Sequence, residues 1–203
     1  MFCIKDSGLY DALTEIRFSV LGITDLVFDD PKGKIVAKTD NIKLYETFTL
    51  QKLWEDSFKD NFNVLYIHTK GVSRPKNIIV KKWLDYLCYF NVYQWKECVK
   101  LLKNHDTAGV DLVKKKDWCP CHYSGNIWWS TSSYIHSIKK PVHVHYHSPE
   151  FWLTEDEIGK YGSLFISERL TISPYVSEWH KEMYVDKPLK PYTFDFVNHT
   201  TTE

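Results

Sequence analysis

Residues 63–71 read Asn63-Val-Leu-Tyr-Ile-His-Thr-Lys-Gly71, an apolar run that stops abruptly at four residues of another kind. Val64 to Ile67 has the composition of a short buried strand. His68, Thr69, Lys70 and Gly71 then place an imidazole, a hydroxyl, an ammonium and a flexible backbone at its carboxyl end. In open α/β sheets ligands bind just beyond the carboxyl ends of strands, where loops part and backbone groups are free. The same nine residues also fit a strand running into an ordinary surface turn, so the surrounding chain has to decide.

Upstream, Leu50, Leu53, Trp54 and Phe58 fall at helical spacing, with Thr47 or Thr49 as the expected cap. Downstream, Trp83, Leu84, Leu87, Cys88, Val92, Trp95, Val99 and Leu102 keep an apolar stripe over a long helical region, 80–104, that reads as interrupted or bent. Residues 106–113 have the shape of a further strand, and Thr131 to Ile138 that of a capped helix. This order of elements predicts an α/β fold with a mixed central sheet flanked by helices. In the first quarter a short strand is expected at Met1–Ile4, and strands at 16–21, 26–28 and 34–37, the last two around the turn Asp29–Gly33. Val142 to His147 alternates strictly, which puts His143, His145 and His147 on one face of a predicted strand. Thr154 is the expected cap of a helix with an acidic first turn, and from Pro174 onward an irregular aromatic segment is expected to pack back onto the domain.

The chain has 203 residues, enough for one domain with a conventional core, expected over 1–197. Residues 198–203 read as a disordered tail or a linker into a longer protein with further enzyme domains. Hydrophobic residues make up 43% and charged residues 26%, values of a soluble globular chain. Lys plus Arg equals Asp plus Glu at 26 each, so no global field draws the protein to nucleic acid or an anionic membrane. No run of 18 apolar residues and no signal-peptide pattern occurs, and a cytoplasmic location is expected. Of five cysteines, Cys119-Pro-Cys121-His122 resembles a zinc corner, but no second cysteine pair completes four ligands. Aromatic residues reach 16%, and Trp and Tyr line sugar sites because a pyranose has an apolar C–H face that stacks on a ring.

Ser124-Gly125-Asn126, ahead of Trp128 and Trp129, joins backbone freedom, a hydroxyl and an amide at one spot, a combination suited to a polyol. The carboxylates Glu150, Asp156 and Glu157 are candidate general bases, and spacing does not choose among them. There is no Gly-x-x-x-x-Gly-Lys-Ser/Thr, Gly-x-Gly-x-x-Gly, Gly-x-Ser-x-Gly or His-Glu-x-x-His, which argues against a P-loop NTPase, a dinucleotide oxidoreductase and an α/β-hydrolase.

Taken together, Ser7-Gly-Leu-Tyr-Asp11, Tyr45-Glu46, Thr49-Leu50, Leu53-Trp54, Leu65-Tyr-Ile-His-Thr-Lys-Gly-Val72, Trp83, Tyr89-Phe90 and His122-x-Ser-Gly-Asn-x-Trp-Trp129 resemble glycosyltransferases of large DNA viruses, notably algal viruses, and of bacterial polysaccharide loci. The resemblance implies a single GT-A, Rossmann-like domain that transfers a sugar from a nucleotide-sugar donor, expected to be a UDP-sugar, to a glycan acceptor such as a viral capsid glycan. In a viral protein the location would be the host cytoplasm. It implies that Cys3 and Lys5, with His68, Thr69, Lys70 and Gly71, hold the donor. His122, Ser124, Gly125, Asn126, Trp128 and Trp129 would shape the sugar and acceptor pocket, and Lys70, Glu150 and Asp156 would carry catalysis. Such enzymes use an Asp-x-Asp motif to hold Mn²⁺ or Mg²⁺. Here His68-Thr69-Lys70 stands in its place, which leaves His68 and His180, or the carboxylates Asp106 and Asp111, as candidate metal ligands. Two rival readings remain open: a metal-dependent hydrolase or oxygenase built on His143, His145 and His147, and a non-catalytic carbohydrate-binding module.

Overall fold

The computed structural model describes residues 2–23, 29–70, 76–116, 119–168, 174–176, 179–198 and 200–202. Gly71 and the strand expected at 26–28 lie outside them. The chain begins with two short helices, α1 (Phe2–Asp6) and α2 (Leu9–Ala12). The strand expected at Met1–Ile4 is thus corrected to helix. Its carbonyls are satisfied locally, because Ser7 donates its N–H to the Cys3 carbonyl at 3.0 Å and its hydroxyl to the Ile4 carbonyl at 3.1 Å. Two strands follow, β1 (Ile16–Leu21) and β2 (Gly33–Thr39), which form a separate parallel pair with Ile16 opposite Gly33. The expected turn closes between them, Gly33 N–H reaching the Asp30 carbonyl at 2.9 Å.

Helix α3 (Thr47–Asp56) runs toward β3 (Asn63–Tyr66). Buried Asp56 locks α3 against β1, because its carboxylate accepts from Arg17 at 2.8 Å, from Lys59 at 3.0 Å and from Lys52. Next comes α4 (Ile78–Cys88), capped by Asn77, whose Oδ1 accepts the N–H groups of Ile79 at 2.9 Å and Val80 at 3.2 Å. The helix then widens into one π turn, Tyr89–Tyr93, and resumes as α5 (Trp95–Leu101), so the interruption expected from the sequence is present. Asn91 sits in that turn, donating to the Leu87 carbonyl at 3.0 Å, while its own carbonyl takes the Trp129 indole N–H at 2.9 Å.

Four short strands follow: β4 (Thr107–Gly109), β5 (Leu112–Val113), β6 (His122–Tyr123) and β7 (Trp128–Thr131). The single strand expected over 106–113 is broken at Asp111, which takes φ +52° and accepts from Ser167 N–H at 2.7 Å and Ser167 Oγ at 2.9 Å. Helix α6 (Ser132–Ser137) is capped by Thr131, as expected, through Tyr134 N–H at 3.3 Å. Helix α7 (Ser148–Phe151), strand β8 (Lys160–Ser163), strand β9 (Tyr192–Asp195) and strand β10 (Thr200–Thr202) complete the chain. β10 pairs with β9, so residues expected to form a loose tail extend the sheet.

Six strands form one mixed sheet in the order β10-β9-β8-β4-β7-β3, in which β4 and β8 run parallel and every other neighbouring pair antiparallel. The α/β class and the mixed, helix-flanked sheet are therefore as expected. Apolar side chains fill both faces. Trp83, Leu87 and Phe90 of the α4 and π segment pack with Ile127 and Trp129. Leu50 of α3 and Ile135 of α6 pack with Tyr66, Trp128 and Tyr161 in a second cluster. Consecutive Trp128 and Trp129 enter opposite clusters because strand side chains alternate.

Two further elements differ from expectation. Residues 142–147 form no strand, 144–147 making bends and turns instead, because Ser148 Oγ accepts the N–H groups of Val144 at 3.2 Å and His145 at 2.9 Å, which diverts them from any ladder. Thr154 caps no helix. Pro149 starts α7 earlier, and the Thr154 hydroxyl donates to the Cys121 carbonyl instead.

Candidate functional site

Antiparallel pairing of β3 with β7 sets Tyr66 opposite Trp128, so the carboxyl end of β3 meets the turn that precedes β7. This register brings His68-Thr69-Lys70 to Ser124-Gly125-Asn126. Directly after the strand a γ-turn reverses the chain, with Lys70 N–H on the His68 carbonyl at 2.8 Å. The second loop closes through Asn126 N–H on the Tyr123 carbonyl at 3.0 Å, with Gly125 at φ +91° and Asn126 at φ +53°. Glycine is required at that third turn position. A Cβ at Gly125 would also lie 2.7 Å from Leu87 Cδ1 and 3.1 Å from Trp83 Cζ2.

Glu46 is the hub. It precedes α3 at the N-cap position, yet its side chain makes no capping bond. Its Oε1 lies 3.1 Å from His68 Nδ1, and its Oε2 accepts the Tyr66 hydroxyl at 3.1 Å and Asn126 Nδ2 at 2.6 Å. Across the ring, His68 Nε2 lies 3.1 Å from the Gly125 carbonyl oxygen. Gly125 N–H donates in turn to Glu150 Oε1 at 3.1 Å, and Glu150 Oε2 lies 3.6 Å from His147 Nδ1. Beneath this circuit Tyr66 stacks on Trp128 at 4.9 Å between centroids, and the Trp128 indole donates to Asn126 Oδ1 at 2.8 Å.

Burial pushes the His68 imidazole below its usual range, while Glu46 and the Gly125 carbonyl oppose that shift. Both neighbours are acceptors, so a protonated ring can donate to both and a neutral ring to one. Burial likewise pushes the Lys70 ammonium below the usual lysine value, opposed by Glu150 and Glu46. Its Nζ lies 4.1 Å from the centroid of the Trp83 ring. Among the described residues Lys70 Nζ has no hydrogen bond and no ion pair, although a half-buried cation left unpaired is costly. An anion with oxygen acceptors would satisfy it.

Of the three candidate bases only Glu150 belongs to this circuit. Asp156 is held by Lys139, through its N–H at 3.2 Å and its ammonium at 2.6 Å, and Glu157 pairs with Lys115 at 3.2 Å. Ser124 is half-buried beside Gly125 with its hydroxyl unbonded among the described residues, and Thr69 is exposed. His122 is buried, with Nδ1 2.9 Å from the Pro120 carbonyl and 3.5 Å from Cys119 Sγ. Trp128 lies on the site side but is sealed under Tyr66, and Trp129 is buried in the opposite cluster. Cys3 and Lys5 are not brought here: on α1, Cys3 packs into the first cluster and Lys5 pairs with Asp30 at 3.1 Å.

The candidate metal ligands do not assemble. Both His68 nitrogens are engaged, and His180 lines a shallow hollow of about 350 Å³ with Ile78, Lys81, Lys82 and Lys181. Asp111 is sealed against Ser167, and Asp106 accepts Lys160 N–H at 2.7 Å. His143, His145 and His147 do not share a strand face: His143 lies 3.4 Å from Thr47 Oγ1, and His147 turns to Glu150. No group of three or more His, Cys, Asp or Glu side chains fit to hold a metal occurs among the described residues. Among the described residues the donors therefore do not form a set that fits the Mn²⁺ or Mg²⁺ that the resemblance implies.

Glu46 and Tyr66 stood in the resembling motifs without an assigned role. No local signal marked Glu46: the sequence pointed to Thr47 or Thr49 as the cap of this helix, whereas Glu46 holds the N-cap position and turns its side chain to the neighbouring strand.

Among the described residues no helix is long and apolar enough to cross a membrane. Residues 27–172 match the family described as Domain of unknown function (DUF8361), a span that includes Glu46, His68, Lys70, Gly125, Asn126 and Glu150. No curated protein and no solved structure matches the chain. With the matched span covering most of its length, the chain belongs to the DUF8361 family.

Proposed function

We propose that this protein is a glycosyltransferase of GT-A type that transfers a sugar from a nucleotide-sugar, a UDP-sugar by preference, to a glycan acceptor. The observation that carries the reading is Lys70: an ammonium over the Trp83 ring with no hydrogen bond or ion pair among the described residues, set at the carboxyl end of a sheet strand beside a carboxylate circuit. Glycosyl transfer from a nucleoside diphosphate needs charge stabilisation on the departing diphosphate and a base for the acceptor hydroxyl. Lys70 meets the first need by donating to diphosphate oxygens as negative charge builds on them.

Glu150 meets the second. The acceptor oxygen forms its bond to the anomeric carbon, the bond from that carbon to the diphosphate oxygen breaks with its electron pair leaving on the nucleotide, and the acceptor proton passes to Glu150. Gly125 N–H holds one Glu150 oxygen and His147 lies near the other, which orients the carboxylate. Ser124 supplies a hydroxyl that orients a sugar hydroxyl, while buried Asn126, its amide engaged by Glu46 and Trp128, holds the Glu46 carboxylate in place. No step is assigned to a metal, because the donors among the described residues do not fit one.

Glu150→Gln is expected to lower turnover by roughly a hundredfold or more, in the range of general-base catalysis. Asp156→Asn, remote from the circuit, is expected to leave turnover within about twofold. Equal losses in the two variants would remove Glu150 from its role. Calorimetric titration of the full chain with UDP, GDP and CMP, each with and without Mn²⁺, tests the donor class. Selective UDP binding is the expected result, and binding of none of the three would overturn the transferase reading.

A further inference from the structure

The site circuit has an outer arc that its chemistry does not use. Tyr45 adjoins Glu46 and is 48% exposed, and Tyr146 adjoins His147 and is 67% exposed. Their rings meet edge to face at 5.7 Å, and the His143 ring lies 5.6 Å from Tyr45. The arc is tied at both ends to the circuit: Tyr45 through the chain to Glu46, and Tyr146 through His147 to Glu150.

These rings are not on a loose loop. Gln51 Nε2 donates to the Pro141 carbonyl at 3.0 Å, and Ser148 Oγ holds the N–H groups of Val144 and His145. Tyr45 takes φ +45°, a left-handed conformation costly for an aromatic residue and typical of positions held for function. Two ordered rings are thus kept in water. Aromatic faces held in water lack the partner that would recover the free energy of their burial.

We propose that Tyr45 and Tyr146 form a stacking subsite for the end ring of an uncharged glycan, with Glu46 and Glu150 at its inner edge accepting hydrogen bonds from the sugar hydroxyls. Its role as acceptor subsite rests on the transferase reading. The chemistry selects this occupant on two grounds. A pyranose offers a C–H face to the tyrosines and hydroxyl donors to the carboxylates, and those same carboxylates repel an acidic sugar.

The test is saturation-transfer-difference NMR on the full chain with the methyl pyranosides of glucose, galactose, mannose and rhamnose, beside the UDP titration. At least one glycoside is expected to receive saturation on its C–H face. Its affinity should weaken at least fivefold in Tyr146→Ala and in Tyr45→Ala and return in Tyr146→Phe, with thermal unfolding and UDP binding unchanged. No glycoside binding by the native chain, or equal binding by the double alanine variant, overturns the subsite. So does tyrosine-dependent binding to phosphatidylcholine vesicles without glycoside binding, which would assign the patch to a lipid surface. The two readings fail separately. Tyrosine-dependent glycoside binding without UDP binding keeps the subsite and ends the transferase, whereas UDP binding without glycoside binding does the reverse.

Discussion

Replacing Lys70 with alanine is expected to lower donor turnover about a hundredfold, near 3 kcal/mol of lost transition-state stabilisation, while thermal unfolding shifts by only a few degrees. The asymmetry follows from the ammonium's surroundings. It has no hydrogen bond or ion pair among the described residues, so its removal orphans nothing there. What is lost is the contact with the Trp83 face, about 0.5–2 kcal/mol, and relief of a desolvated charge offsets part of that. Turnover should also fall as pH rises through the Lys70 pKa, which burial holds below the usual 10.5. Over the same window the charge-burial penalty disappears, because the unfolded chain binds more protons there than the native one, so stability rises slightly with pH. Lys70→Arg, with a guanidinium that stays charged, should abolish the alkaline loss if it keeps activity. Steady-state kinetics across pH on both variants are the check, and unchanged turnover in Lys70→Ala would take this residue out of the mechanism.

Gly125→Ala should be the more damaging change, costing about 2–4 kcal/mol of stability from left-handed strain and overpacking together, along with most of the turnover. The new Cβ would stand 2.7 Å from Leu87, 3.1 Å from Trp83 and 3.4 Å from Lys70 Cε, so packing and the ammonium are displaced together. The bonds that Gly125 makes to Glu150 and His68 would shift with them. Gly8→Ala is the control: it has φ +72°, but a Cβ there meets nothing within 4 Å. It should cost only the backbone strain, about 1–2 kcal/mol. Urea unfolding of both variants separates the two contributions. Equal losses would mean that packing around Gly125 is looser than described.

Much of the molecule is legible along the chain wherever a local pattern faces a single consistent environment. The apolar stripe of residues 80–104 shows both the helix and its interruption, because one face packs on the sheet while Asn91 forces a wider turn. The strand at 63–66 and the capped helix after Thr131 follow from the same kind of reading. Alternation misleads at 142–147, where period two is present but a serine side chain takes the backbone donors that a sheet would have paired. It misleads differently at the N-terminus, where a few apolar residues fit a strand as well as the short helix they form.

The site divides along the same line. Residue types in the chain by themselves pointed to the two stretches proposed to carry the chemistry, His68-Thr69-Lys70 and Ser124-Gly125-Asn126, since polar and glycine residues abutting apolar runs are local features. Their meeting is a matter of register between β3 and β7, a long-range pairing that no local pattern encodes. The same pairing, with α3 packed beside it, chose Glu46 as the hub and Glu150 over Asp156 and Glu157. Those three carboxylates are chemically alike in sequence, and only the sheet and the helices packed on it decide which one points at the glycine turn.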